Sequence, residues 1–113
     1  VDPVFWALDL GSPATVHAEV EGYDPIEHAD TFPMGSAITF EFPARGKRAA
    51  VKLIWFDGRK EMPRPPELEE GRALPRKGAI VIGDKGKIMH GSHGAGGVRG
   101  LKPSSVPLPA LRR

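Results

Sequence analysis

Hydrophobic and polar residues alternate along two stretches of the chain, 15–21 and 37–42, and this period of two predicts β-strands. In each stretch one set of alternate positions is apolar and the other is polar or small, which is typical of a strand with one solvated face. The stretch 51–56 carries apolar residues on both faces, so we expect it to be the central strand. Residues 43–48 are expected to form the hairpin connection that precedes it.

Two shorter apolar runs, 79–82 and 87–90, predict a fourth and a fifth strand joined by a Gly-rich turn. The Pro-rich segment 62–66 predicts an extended link, because proline lacks the backbone donor that a central strand needs. One helical turn is expected at 67–71, where acidic residues favour a helix N-terminus.

The first element is predicted to be a short helix. Asp2 and Pro3 are typical of a helix start, and Gly11 is typical of a helix end. Because short connections join the strands, we predict an α+β fold: an open, mostly antiparallel β-sheet with one or two short helices packed on one face. Residues 1–90 are expected to form this domain, and residues 91–113 a Gly/Pro-rich loop and tail.

Composition and charge narrow the choice of function. The chain has no cysteine, which excludes disulfides, thiolate zinc sites and cysteine nucleophiles. No apolar run approaches the roughly 18 residues of a membrane span, so no membrane partner is expected. Residues 1–42 hold eight acidic residues and no Lys or Arg, whereas all 16 Lys and Arg follow. These cations are scattered among Pro, Gly and acids without interleaved aromatics, so we favour charge neutralisation between strands over nucleic-acid binding.

A candidate ligand site lies around the end of the third strand. Trp55 offers a flat ring, while Asp57 and Arg64 offer acceptors and donors suited to a polyhydroxylated ligand. Together with Trp6 they are the predicted substrate-binding residues. The alternative is a core tryptophan, a turn aspartate and a solvated arginine.

Other chemical motifs are weaker. The segment 90–94 (HGSHG) has the glycine and histidine content of an anion or metal site, but a loop without ligand is the favoured interpretation. Ser12, His17 and Asp9 do not predict a catalytic triad, because nothing marks the serine as a strained nucleophile. No G-x-G-x-x-G fingerprint follows a strand, so no cofactor-binding residue is expected in this chain. None of these motifs predicts a catalytic or metal-binding residue.

Five short motifs occur in an order that resembles one protein family. In chain order they are residues 2–8 (DPVFWAL), 40–46 (FEFPARG), 51–58 (VKLIWFDG), 62–65 (MPRP) and 83–87 (GDKGK). Together they resemble the C-terminal α/β domain of the bacterial Gfo/Idh/MocA oxidoreductases, the family of glucose–fructose oxidoreductase and inositol dehydrogenase. The resemblance covers residues 2–90 and weakens from Gly91 onward.

This resemblance implies a domain of a larger enzyme that transfers hydride between NAD or NADP and a sugar or polyol. In the family an N-terminal Rossmann domain binds the cofactor and carries the catalytic lysine, and the sheet domain supplies part of the substrate pocket and packs on another subunit. Asp2 resembles the last residue of the family's H-x-x-D stretch, so the histidine would precede Val1. The implied partners are therefore the parent's Rossmann domain, a sugar-like small molecule and a second subunit bound through the sheet, in the bacterial cytoplasm or periplasm.

Two alternatives remain from other classes. The chain could be a stand-alone module that dimerises through its sheet, or, less favoured, a basic nucleic-acid binder. Since the cofactor carries the chemistry of hydride transfer, the chain alone is expected to bind no cofactor and to be inactive.

Overall fold

The structure, a computed structural model, describes residues 2–91 and 97–101. The chain divides into two compact units. The first unit comprises residues 8–63. The second unit comprises the described residues of the segments 1–7 and 64–113. Each unit contains one three-stranded antiparallel sheet.

The first sheet joins strands β1 (Thr15–Glu21), β2 (Gly35–Phe42) and β3 (Val51–Gly58) in sequence order. All three predicted strands are therefore confirmed, with β2 and β3 each extended by two residues. The prediction that β3 is central is wrong, because β2 lies between the two other strands. The apolar Ile54 and Phe56 suggested a strand buried on both faces, yet Ile54 is exposed.

β1 is exposed along its whole length, so the prediction that one of its faces is buried is also wrong. The alternation itself is present, but nothing within the described residues buries its apolar side. The best-buried side chains of the first unit are those of Leu10 and Phe42.

The end of the first sheet brings two backbones too close for side chains. Gly58 has a φ of 63°, and a Cβ added there would overlap the carbonyl oxygen of Met34. A Cβ at Gly35 would lie 2.8 Å from the backbone nitrogen of Lys60. Glycine at both positions therefore allows β2 and β3 to close at this end.

The second unit contains helix α1 (Asp2–Ala7) and strands β4 (Gly78–Gly83), β5 (Gly86–Gly91) and β6 (Val98–Leu101). The three strands pair in sequence order. Its small core is formed by three buried side chains, with two partly buried ones packed against them: Leu68, Met89 and Leu101, then Leu74 and Ile80.

β6 corrects the sequence prediction, which assigned residues 91–113 to loop and tail. Val98 pairs with His90 and Leu101 pairs with Lys87, so β6 completes the second sheet. Four residues with a glycine among them are too few to show a period of two, which is why the pattern missed this strand. The remaining predicted tail, residues 102–113, lies outside the described residues.

The helical elements are shorter than predicted. α1 ends at Ala7, and Asp9 rather than Gly11 is the first residue beyond it in the left-handed region, with a φ of 48°. The predicted helical turn at 67–71 is instead a pair of hydrogen-bonded turns within residues 65–72.

The fold class is confirmed: an open, mostly antiparallel α+β fold with a very short helix. The strands form two sheets rather than one. Three prolines, Pro63, Pro65 and Pro66, follow β3, and proline cannot extend a ladder of backbone hydrogen bonds. β4 therefore pairs with β5 and starts a new sheet.

Candidate functional site

One face of the first sheet is apolar from edge to edge, and we call it the apolar face. The strand register places Val16 opposite Phe40, and Phe40 opposite Leu53. Val16 is 57% exposed. The apolar residues of this face are Val16, Ala18, Val20, Ile38, Phe40, Phe42, Val51, Leu53 and Trp55, and the polar Ser36 and Asp57 lie on the same face near the end of β3. A contiguous apolar surface of this kind marks an interaction site more often than a free surface.

The opposite face of the same sheet is mostly polar, with Ala37, Ile54 and Phe56 as its apolar residues. Thr15 donates a hydrogen bond to Glu41 across the strands, with 2.8 Å between Oγ1 and Oε2. Lys52 Nζ lies 3.9 Å from the other oxygen of Glu41. These pairs are solvent-exposed, so they contribute little to stability but keep this face hydrated. The first sheet is therefore amphipathic, with its two faces suited to different surroundings.

Trp55 and Asp57, two of the predicted substrate-binding residues, share one side of β3 near its end. Trp55 is 39% exposed, and Asp57 is exposed as well. One carboxylate oxygen of Asp57 accepts a hydrogen bond from the backbone N–H of Gly58 at 2.8 Å. This is the turn role offered as the alternative, and it leaves the second carboxylate oxygen without a recorded protein contact.

Trp6 and Arg64, the other two predicted residues, belong to the second unit. Trp6 lies on α1 and is 86% exposed. The guanidinium of Arg64 donates hydrogen bonds to three backbone carbonyls, those of Leu68, Glu69 and Arg72. Arg64 therefore holds the turns of residues 65–72, a structural role that sequence reasoning did not foresee.

The connection between β1 and β2, residues 22–34, is an ordered loop that we call the acidic loop. Asp24 Oδ1 accepts hydrogen bonds from the backbone N–H groups of Ile26 and Glu27, at 2.8 Å and 3.0 Å. These two bonds hold the pKa of Asp24 below its ordinary value. The backbone N–H of Asp24 donates to His28 Nδ1 at 2.8 Å, which closes the loop on itself.

The acidic loop presents two large apolar side chains to solvent: Ile26 is 89% exposed and Phe32 is 94% exposed. Sequence reasoning identified the loop but not this presentation. The Asp24–Pro25 pair was a sequence signal for this ordered turn, because aspartate before a turn commonly accepts hydrogen bonds from the backbone amides that follow.

The connection between β2 and β3, residues 43–50, forms a tight turn that we call the basic turn. Arg45 and Arg48 exchange two backbone hydrogen bonds of 2.9 Å, which confirms the predicted hairpin. The guanidinium of Arg48 donates to the carbonyls of Pro43 and Ala49. Beside this turn is an open depression of about 390 Å³, with Ala14, Phe42, Pro43, Ala50 and Val51 among its lining residues.

The second unit carries one partly buried ion pair. Lys87 Nζ lies 2.7 Å from Glu67 Oε1 and donates a hydrogen bond to Oε2 at 2.9 Å. The hydrogen bond from Lys87 holds the pKa of Glu67 below its ordinary value. A second pair, Arg72 with Glu69 at 2.8 Å, lowers the pKa of Glu69 through the same kind of hydrogen bond. Both pairs stabilise the segment that leads into β4.

The described residues contain no group of three or more His, Cys, Asp or Glu side chains placed to hold a metal ion. Ser12, His17 and Asp9 show no triad geometry, since His17 pairs with Glu19 and Asp9 pairs with Arg45. Most of the histidine- and glycine-rich segment 90–94 lies outside the described residues.

No helix within residues 2–91 and 97–101 has the length and apolar character needed to cross a membrane. Comparison of the chain with protein-family models, with curated proteins and with solved structures finds no match. The functional argument therefore rests on the sequence motifs and on the geometry of the two units.

Proposed function

We propose that this chain is the sheet domain of an NAD(P)-dependent oxidoreductase of the Gfo/Idh/MocA family, acting on a sugar or polyol. In this role the first sheet supplies a subunit interface, and the end of β3 supplies part of the substrate pocket. The observation that carries the proposal is the apolar face, on which β1 and Trp55 are exposed while the remaining large side chains, apart from the buried Phe42, are half-buried. The order of the five motifs supplies the family.

The interface role follows from the energetics of the apolar face. Burying exposed apolar surface yields about 25 cal/mol per Å², so packing this face on another surface is favourable. β1 is the most exposed part of it, with Val16 57% and Val20 50% exposed. A second copy of the domain offers the same face and buries both at once, as two-fold symmetric assembly requires.

The pocket role rests on Trp55 and Asp57. The exposed part of the Trp55 ring can stack on the C–H face of a sugar, and Asp57 retains an oxygen that can accept a hydroxyl hydrogen bond. Arg64 is left out of the proposed pocket, because its donors are committed to backbone carbonyls. NAD or NADP would bind to the parent's Rossmann domain, which supplies the hydride chemistry.

The enzymatic part is tested on the full protein encoded by the gene. Nicotinamide absorbance is followed with a panel of sugars and polyols. We expect turnover by the full protein and none by this chain alone. Trp55→Leu should raise the KM for the sugar about tenfold, whereas Phe56→Leu, on the opposite face of β3, should leave the KM unchanged. A gene that encodes no dinucleotide-binding domain would contradict the oxidoreductase and leave the stand-alone dimerisation module.

The interface part is tested by light scattering of the chain across concentration. We expect a dimer that the double variant Val16→Thr/Val20→Thr weakens, because threonine keeps strand propensity while adding a hydroxyl to the apolar face. His17→Thr, on the polar face of the same strand, is the control and should leave the dimer intact. Equal association of all three proteins would refute the role of the apolar face.

A further inference from the structure

The two connections of the first sheet carry opposite charge. The acidic loop contains Asp24, Glu27 and Asp30 and no Lys or Arg, whereas the basic turn contains Arg45, Lys47 and Arg48 and no acid. In a sheet of three sequential antiparallel strands, the first connection and the second lie at opposite ends of the strands. Charge is therefore separated along the strand direction of the first unit, with the acidic connection at one end and the basic connection at the other.

Neighbouring charges reduce the charge difference between the acidic loop and the basic turn without cancelling it. At the basic end, Arg45 lies 3.4 Å from Asp9, and Lys52 pairs with Glu41. At the acidic end, Arg59 and Lys60 follow β3, whose last residue but one is Asp57. The acidic loop itself stays uncompensated by ion pairs within the described residues, since none of its three carboxylates has a cation within salt-bridge distance.

The apolar features at the two ends are also complementary. The acidic loop projects Ile26 and Phe32, each about nine-tenths exposed, from a backbone that Asp24 holds in place. The basic end holds the open depression of about 390 Å³, whose lining combines apolar residues with the ion-paired Glu41 and Lys52. Pro43, Ala50 and Val51 offer apolar surface there, against which an aromatic and an aliphatic side chain can pack.

We propose that the acidic loop of one chain docks, through Ile26 and Phe32, into the depression beside the basic turn of a second chain. Charge and shape both favour this occupant, because the acidic loop needs a cationic rim and the basic turn supplies one. The loop and the depression lie at opposite ends of the same sheet, so one chain cannot satisfy both from itself. The contact is head-to-tail, and it leaves a free loop at one end of each pair and a free depression at the other.

The depression shares Phe42 and Val51 with the apolar face, but the variants below change neither of these side chains, so the two contacts can be tested separately. The loop variant Ile26→Ser/Phe32→Ser removes the projecting side chains at positions that contribute nothing to a core. The depression variant Ala50→Glu places an anion in the lining at an exposed residue outside the strands. The matched controls are Ala29→Ser in the acidic loop and Ala44→Ser in the basic turn, which lies outside the lining and adds no charge.

The decisive experiment mixes the two variants. Each variant alone lacks one half of the contact. An equimolar mixture restores one contact, between the intact loop of the depression variant and the intact depression of the loop variant. In sedimentation velocity we expect the mixture to contain a 1:1 pair of the two 12.2 kDa chains. Neither variant alone should form a pair through this contact. Affinity-tagging one variant and recovering the other identifies the mixed pair.

The variants and added salt should each lower the affinity of the head-to-tail contact. Losing two buried apolar side chains should weaken head-to-tail association by ten- to hundredfold or more. Raising the salt to about 0.5 M should weaken it further, since the charges around the contact are exposed and screened. Both control variants should associate like the wild type. Far-UV circular dichroism establishes that every variant is folded.

Three outcomes would overturn the proposal: a wild-type chain whose association is unaffected by the loop and depression variants, a mixture that contains no pair beyond those of its components, or an equal loss with the control variants. An isologous dimer through the apolar face survives both variants, so the failure of this proposal leaves the proposed interface role standing. Failure of the proposed interface role likewise leaves the head-to-tail contact standing, because the Val16→Thr/Val20→Thr variant leaves the loop and the depression intact.

Discussion

Replacing Gly58 by alanine tests whether the close approach of β2 and β3 sets the stability of the first unit. The left-handed φ of 63° costs an L-residue roughly 1–2 kcal/mol relative to glycine. The added Cβ also overlaps the Met34 carbonyl, which accepts a hydrogen bond from the Arg59 N–H at 2.9 Å. Weakening that bond adds about 0.5–1.5 kcal/mol. We therefore expect Gly58→Ala to destabilise the unit by about 1.5–3.5 kcal/mol.

Gly46→Ala is the matched control. Gly46 has a φ of 57° and no atom within 4 Å of an added Cβ, so it incurs the backbone cost alone, roughly 1–2 kcal/mol. The two glycines belong to the same unit, so the difference between the variants measures the overlap with Met34. That difference of about 0.5–1.5 kcal/mol corresponds to roughly 2–12 °C in Tm.

The assay is urea unfolding followed by tryptophan fluorescence. The chain has two tryptophans, so the background Trp6→Phe leaves Trp55 as the reporter of the first unit. The slope of the transition should be the same in all variants, and only the midpoint should move. Equal midpoints for Gly58→Ala and Gly46→Ala would refute the reasoning, because backbone strain alone would then account for both.

Two further predictions concern the second unit. Arg64→Met should destabilise this unit by roughly 1.5–3 kcal/mol, because three hydrogen bonds to the turns of residues 65–72 are lost. Arg64→Lys should recover less than half of the lost stability. Thermal unfolding measures both effects. The ion pair of Glu67 with Lys87 should stabilise the unit above about pH 4.5 and lose this effect as the pH falls through the lowered pKa of Glu67. Tm should therefore drop on acidification in the wild type and drop less in Glu67→Gln.

The strands were predictable where the sequence alternates over enough residues. β1 and β2 show the period of two on seven and eight residues, and β4 and β5 show short apolar runs between glycines. β6 was not predictable in this way, because its pairing with β5 is decided by tertiary contact. The position of β3 was misjudged because apolar residues on both faces suggest burial, although an edge strand can carry them exposed.

The candidate site was predictable only in part. Trp55 and Asp57 lie on one side of β3 because residues two apart on a strand share a face, which any strand assignment implies. The role of Arg64 was not predictable, since its three acceptors are backbone carbonyls and carry no residue-type signal. The opposed charges of the two connections were present in the sequence, but they gain meaning only once the topology places them at opposite ends.

The sequential strand order has a consequence for how the protein is made. Every strand pairs with its neighbour in the chain, so the contact order of each sheet is low and no strand waits for a distant partner. During synthesis, β1, β2 and β3 can complete their pairing once Gly58 has left the ribosome, before the second sheet exists. α1 precedes these strands in the chain, yet it belongs to the unit whose strands are synthesised after them. A nascent chain stalled after Pro63 should therefore already protect the amides of β2 from exchange, while α1 should gain protection only when β6 has emerged.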